Sequence, residues 1–302
     1  MLLYKYRTDN SFAESIIKTG KVWLPTASEL NDPLECRTGR IPEAWKADKI
    51  RAMKELHLMS FLLAARRSLS GKHPFYGRLP QAETRKLLAR FEGFTSLESA
   101  YSEFVSFHKK YSILQPSNPD NFFKTIDDQL SQVGIFSLSE EAANGPLWAH
   151  YAENHKGLAL GFEKAAGNKL GMPRHTCAVT YDEVKPVLDE NFQTQIHISL
   201  NAAGVGSSTH TLLFEDATFR AAISTKPKSW ACEKEWRYVE ETHGLFPWPG
   251  PLREVIFGMQ MPADRRSHYR TLVAQSVSHP VAFFEIKVSD GNDALIKLPA
   301  IT

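Results

Sequence analysis

Two carboxylates one residue apart stand in the most informative stretch of the chain, Lys226-Pro227-Lys228-Ser229-Trp230-Ala231-Cys232-Glu233-Lys234-Glu235-Trp236-Arg237. If Glu233–Glu240 runs as a strand, Glu233 and Glu235 point to one face, because strand side chains alternate with period two. Paired acids at a cleft edge can divide labour: one stabilises a developing cation while the other activates a nucleophile. The same spacing also suits an ordinary pair that is solvated or held by Lys226, Lys228 or Arg237. His150 is a candidate general base, although a single His on a half-apolar helix is more often a hydrogen-bonded core residue. His155, His175 and Cys177 match no usual zinc spacing, so no metal is expected. Asn31-Asp32-Pro33 reads as a rigid turn organised by its Asx side chain. The chain has no Gly-x-Gly-x-x-Gly, no Gly-x-x-x-x-Gly-Lys-Ser/Thr and no Gly-x-Ser-x-Gly motif. Dinucleotide-fingerprint, P-loop and nucleophile-elbow sites are thereby disfavoured, and Gly204–Ser208 reads as a loop.

The elements that must position these residues follow from hydropathy. Residues 2–7 read as a strand with Tyr4 and Tyr6 on one face and Leu3, Lys5 and Arg7 on the other. Ser11 is a plausible N-cap for a helix Phe12–Lys18 closed by Gly20, and Val22–Leu24 is a second strand. From about Glu43 to Gln132 the pattern turns helical. Ile50, Met53, Leu56 and Met59 suggest one helix face, and further helices are expected at Gln81–Phe91, Leu97–Tyr111 and Asn121–Gln132. Strands return at Val133–Ser139, Leu158–Phe162, Cys177–Tyr181, Glu235–Glu240, Val255–Phe257 and Val281–Val288. A helix Pro146–His155 is expected to bring Leu147, His150, Tyr151 and Asn154 to one face, and helices are also expected at 183–199 and 211–223. Mixed strands with interleaved helices indicate an α+β fold. The whole chain, 1–302, reads as a single domain with a helical insertion at about 40–132.

Composition sets the outer bounds. The 302 residues are 42% hydrophobic, which excludes a disordered chain, and the longest apolar run, Phe61–Ala65, is far short of a membrane span. The N-terminus lacks the order of a signal peptide, and three scattered cysteines form no disulfide framework, so a cytoplasmic setting is expected. The formal net charge is +2, but Arg66, Arg67, Lys72, Arg78, Arg85, Lys86 and Arg90 face only Glu83 within Arg66–Arg90. Such a patch can steer an anionic partner, or it can be a solvated helical surface.

Five segments in this order resemble domain-of-unknown-function family 2971, which is mostly bacterial. They are Leu3–Arg7, Leu30–Glu35, Phe136–Ser139, Leu147–Gly157 and Glu233–Arg237. Leu34 departs from the aromatic residue usual in that family. A more distant resemblance is to ADP-ribosyltransferases of the Arg–Ser–Glu type, with Arg7 on the first strand, Ser137-Leu138-Ser139 on a later one, and Glu233-Lys234-Glu235 on a third. That resemblance implies an ADP-ribosyltransferase-like split mixed/antiparallel sheet and cleavage of the nicotinamide–ribose bond of NAD, the co-substrate. The transition state resembles an oxocarbenium ion. Arg7 would hold the pyrophosphate or ribose, Ser137 and Ser139 the nicotinamide ribose, and Trp148 or Tyr151 would stack on the nicotinamide ring. Glu235 would accept the ribose 2′-hydroxyl and stabilise positive charge, while Glu233 would activate the acceptor. The implied acceptor is a macromolecule, protein or nucleic acid, in the setting of a toxin or phage-defence effector with a possible neutralising protein partner. NAD hydrolysis and a non-catalytic nucleotide- or protein-binding module are the alternatives. Each residue also has a structural reading: Arg7 pairing with Glu235 or Asp32, Ser137 satisfying backbone groups, and Trp148 and Tyr151 filling the core.

Overall fold

A computed structural model of the protein describes all residues except 33, 34, 72, 73, 77, 113, 189, 190, 201–205, 292, 293, 301 and 302. In chain order its main elements are β1 (Leu2–Arg7), α1 (Ser11–Thr19), β2 (Lys21–Leu24), α2 (Glu43–Ser70), α3 (Gln81–Glu92), α4 (Leu97–Tyr111), β3 (Leu114–Gln115), α5 (Phe122–Gln132), β4 (Gly134–Ser139), α6 (Gly145–Tyr151) and β5 (Leu158–Glu163). There follow β6 (Thr176–Ala178), β7 (Thr180–Tyr181), β8 (Thr194–Leu200), β9 (Gly206–Leu212), α7 (Ala217–Ser224), β10 (Thr225–Lys226), β11 (Glu235–Glu240), β12 (Gly244–Pro247), β13 (Leu252–Phe257), α8 (Ala263–Ser276), β14 (Ala282–Val288) and β15 (Leu295–Pro299). The chain divides into two compact units. One comprises residues 1–39, 129–186 and 217–302; the other comprises 40–128 and 187–216.

The first unit is built on an eight-stranded mixed sheet in the order β15-β14-β13-β5-β1-β4-β11-β6, in which only β13 and β14 run parallel. Alternation along β1 decides which side chains each face receives. Leu3 joins Phe136, Leu138, Leu158, Leu160 and Phe162 on one face, covered by Ile16 and Ile17 of α1 and by Tyr269, Leu272 and Val273 of α8. Tyr4 and Tyr6 go to the other face with Leu147, Trp148, Ala159 and Ile256. Asn10 caps α1, accepting from the Phe12 and Ala13 amides, and Gly20 ends the helix in the left-handed region (φ 65°). The cap is therefore one residue earlier than Ser11. Arg265 of α8 binds Asp9 at 2.6 and 2.7 Å and Glu14 at 2.9 Å, which fixes the helix pair over the sheet.

α6 ends at Tyr151, not at His155. The next residues, Glu153, Asn154 and His155, all adopt positive φ (52°, 50° and 67°), a left-handed turn that no α-helix continues. Its amides return to the carbonyls of α6: Asn154 to Ala149 and His155 to Trp148.

The second unit packs α2, α3 and α4 around Phe61, whose ring meets Phe75, Phe91, Phe104 and Phe107 at centroid distances of 5.0–5.5 Å. The buried face of α2 is Lys54, Leu58, Phe61 and Ala65, while Leu56 and Met59 are exposed. The stripe Ile50–Met59 is thus rotated from the true core face, which Phe61 and its aromatic partners select. β8 and β9 pair antiparallel, and β3 adds to β9 in parallel. Residues 194–199 are extended where a helix was expected, since Ile196, Ile198 and Leu200 alternate with polar residues at period two. Gly206–Ser208 opens β9; residues 204 and 205 of the expected loop lie outside the described residues.

Candidate functional site: a cleft where two strands part

Along β1 the ladder to β5 is complete, from Leu2 opposite Glu163 to Arg7 opposite Leu158. With β4 it is paired only at Tyr4 opposite Ser139. Beyond that pair the strands separate, and a cavity of about 230 Å³ opens along the break. Lys5, Arg7, Ser137, Ser139, Tyr151, Lys226, Glu35, Glu233 and Glu235 are among its lining residues. The gap is bridged by a side chain, the Lys5 Nζ donating to the Ser137 carbonyl at 2.9 Å. Close packing holds the β1 end of the wall in place: a Cβ on Gly157 would lie 2.1 Å from the Arg7 carbonyl oxygen, so only glycine lets the chain cross there.

The opposite wall is a buried ion network. β11 lies antiparallel to β4, with Glu235 opposite Ser139 and Arg237 opposite Ser137. The Arg237 Nε donates to Glu235 at 2.9 Å, its terminal nitrogens bind Glu35 and the Ile223 carbonyl, and the Cys36 sulfur lies at 3.4 Å. The Lys226 Nζ reaches Glu233 at 2.7 Å, Glu235 at 3.0 Å and Glu35 at 3.3 Å. Burial alone would raise the Glu235 carboxyl, but Arg237 and Lys226, with the Ser137 hydroxyl donating to it, hold it down at about 2. The carboxylates in turn raise Lys226 and Arg237 above their ordinary values, against desolvation. Burial pushes the Cys36 thiol up to about 11.

Glu233 is not part of the strand. It ends a 3-10 turn, Lys228–Glu233, and Lys234 at φ 44° swings the chain into β11. The two acids converge through that left-handed residue and their shared lysine, not through period-two alternation. The turn is anchored from β4 and α6: the Ser139 hydroxyl donates to the Glu233 carbonyl at 2.7 Å and the Asn144 amide to the Cys232 carbonyl at 2.6 Å. Ser139 is therefore engaged with backbone, accepting from the Glu141 amide as well. Tyr151 lines the cleft and donates to Glu233 at 2.8 Å; burial and that carboxylate push its hydroxyl up to about 12.

Arg7 has no ion-pair or hydrogen-bond partner among the described residues, and its Nε is buried without one. It pairs with neither Glu235 nor Asp32. Desolvation alone lowers its affinity for a proton. An unpaired guanidinium on a cleft wall suits an incoming anion.

Sequence reasoning brought Arg7, Ser137, Tyr151, Glu233 and Glu235 to one cleft, and they line it together. Trp148 does not: it is wholly buried in the core, its indole N–H donating to the Ala142 carbonyl at 2.9 Å and its ring standing edge-on to Tyr6. That indole is a support for β1 and cannot stack on a ligand in the cleft. His150 is exposed and absent from the cleft lining. Among the described residues no cluster of His, Cys, Asp and Glu could hold a metal, and Pro33 of the Asn31–Pro33 turn lies outside them, as does Leu34. Lys5, Glu35, Lys226 and Arg237 were missed as site residues. Lys5 carried a signal, since it shares the face of Arg7 at period two.

Residues 147–238 match the model of a family described as a protein of unknown function (DUF2971). The match supports the resemblance to that family. It spans Tyr151, Lys226, Glu233, Glu235 and Arg237, leaving Arg7 and Ser137 outside. No curated protein and no solved structure matches the chain. No helix among the described residues is long and apolar enough to cross a membrane.

Proposed function

We propose that the cleft binds NAD and that the protein is an NAD-dependent ADP-ribosyltransferase acting on a macromolecular acceptor. The observation that carries this reading is the convergence of Arg7, Ser137 and Glu235 on one cavity at a break in the sheet, the arrangement implied by the Arg–Ser–Glu resemblance and its split sheet. The unpartnered Arg7 guanidinium fits a pyrophosphate or ribose oxygen. Glu235, kept ionised, fits a ribose 2′-hydroxyl and can stabilise positive charge at the neighbouring carbon as nicotinamide departs. Glu233, which accepts a hydrogen bond from Tyr151, would activate the acceptor. A cavity of about 230 Å³ is smaller than the roughly 300–1,000 Å³ of most ligand pockets, so it suits the nicotinamide ribose, with the adenylate half lying outside. The exposed Arg66, Arg67, Arg78 and Arg85 of the second unit offer an electrostatic contact for an acidic acceptor or a neutralising protein.

One observation favours a second reading. Glu235 is already bound by Arg237, Lys226 and Ser137, and an acid so engaged suits a module that binds a nucleotide without turnover. Incubation with NAD labelled in its adenylate part, in the presence of cell extract, separates the possibilities. Label on protein or nucleic acid supports the transferase, free ADP-ribose supports a glycohydrolase, and binding with intact NAD supports the module. If NAD neither binds nor is consumed, the proposal fails.

A further inference from the structure

We propose that Lys5 and Arg7 form a paired phosphate-binding wall in which Lys5 takes up a proton as the anion arrives. Arg7 enters the proposed function above, whereas Lys5 has no part in it. Both project from one face of β1 into the cleft, two residues apart. Neither has a carboxylate within ion-pairing distance among the described residues. The Lys5 Nζ makes one hydrogen bond, to the Ser137 carbonyl, and lies 4.8 Å from the centre of the Phe136 ring. These neighbours solvate an ammonium far less well than water does.

The charged groups around it divide into two sets. Arg7 on its own strand and Lys226 of β10 disfavour a positive charge on Lys5, while Glu233 of the 3-10 turn and Glu235 of β11 favour it. Both acids are committed to Lys226, and Glu235 also to Arg237. Glu29 and Glu35 line the cleft too, but Glu29 is turned to Thr26, and Glu35 to Arg237 and Lys226. The balance, led by burial and then by Arg7, lowers Lys5 to about 7. A phosphate oxygen seated on Arg7 cancels the repulsion and adds an acceptor, so the amine becomes an ammonium. Its proton comes from solvent and no covalent bond changes.

The anion pair stands independently of what else the ligand carries; only its identification with the pyrophosphate of NAD rests on the proposed function. Calorimetry of the full chain with sodium sulfate and with ADP-ribose, each in two buffers of different ionisation enthalpy, tests it. Neither probe titrates between pH 6 and 9, so any proton taken up belongs to the protein. At pH 8 the wild type should take up close to one proton per anion, and affinity should fall by about tenfold per pH unit above 7. Lys5→Met should abolish the uptake and weaken binding by about tenfold. Lys5→Arg, charged at every pH used, should keep the affinity and lose the uptake. Absence of uptake with both probes, or uptake unchanged in Lys5→Met, would overturn the pair. Uptake with sulfate and no binding of ADP-ribose would keep the pair and remove the NAD reading instead.

Discussion

Glu235→Gln should destabilise the folded protein strongly at neutral pH and much less in acid. The carboxyl is buried and held at about 2, against an ordinary value near 4.5. That difference of about 2.5 units, at 1.36 kcal/mol each, sets the folded-state preference for the carboxylate at about 3 kcal/mol. Gln keeps the shape but leaves Arg237 and Lys226 facing only Glu35 and Glu233, and loss of one partner in a buried pair is known to cost about 3–5 kcal/mol. Because the folded value lies below the unfolded one, the contribution is fully present above pH about 4.5 and is lost as pH falls toward 2. Urea unfolding of wild type and Glu235→Gln at pH 7, followed by thermal melts from pH 7 down to pH 3, measures both limbs. A gap of about 3 kcal/mol at pH 7 that narrows steadily below pH 4.5 is expected. Equal stability at pH 7, or a gap that does not change on acidification, would refute the reasoning.

The guanidinium groups of Arg237, buried, and Arg7, half-buried on the cleft wall, should respond differently to removal. Arg237→Met breaks its pairs with Glu35 and Glu235 and should cost about 3–5 kcal/mol in urea unfolding. Arg7→Met breaks no ion pair and should leave the unfolding midpoint nearly unmoved while weakening ADP-ribose binding; an equal loss of stability would assign Arg7 a structural role. Gly157→Ala should cost about 3 kcal/mol, at the upper end of overpacking, because its Cβ would meet the Arg7 carbonyl, and nucleotide binding should fall with it. Trp148→Ala should lower stability by about 3–5 kcal/mol, read by the same unfolding curves, whereas Tyr151→Phe should cost about 1 kcal/mol, since it removes one hydrogen bond to Glu233.

The strands that carry the site were legible because their alternation is plain. Leu3, Lys5 and Arg7 face away from Tyr4 and Tyr6, and Val133–Ser139 reads as extended. Local turn chemistry was less so. Nothing in Glu233-Lys234-Glu235 announces that Lys234 takes a left-handed conformation, and a β-strand is the natural reading of such a run. The same holds for Glu153–His155, three non-glycine residues at positive φ, where the amides of Asn154 and His155 turn back to carbonyls of α6. Trp148 and Tyr151 lie on one short helix, and only the packing of that helix on Tyr6 decides that the indole goes to the core and the phenol to the cleft. The ion network was visible as a list of possible partners around Lys226, but its third acid, Glu35, comes from far away in the chain and had no local signal.

Release of nicotinamide from NAD, followed in the presence of cell extract that supplies acceptors, tests most directly whether the cleft acts on a dinucleotide. Wild-type protein should release it. Arg7→Ala should need far more NAD to do so, and Glu235→Gln, assayed below its melting temperature, should lose turnover by orders of magnitude. Release that is undiminished in both variants would contradict the assignment of the cleft as the reacting site.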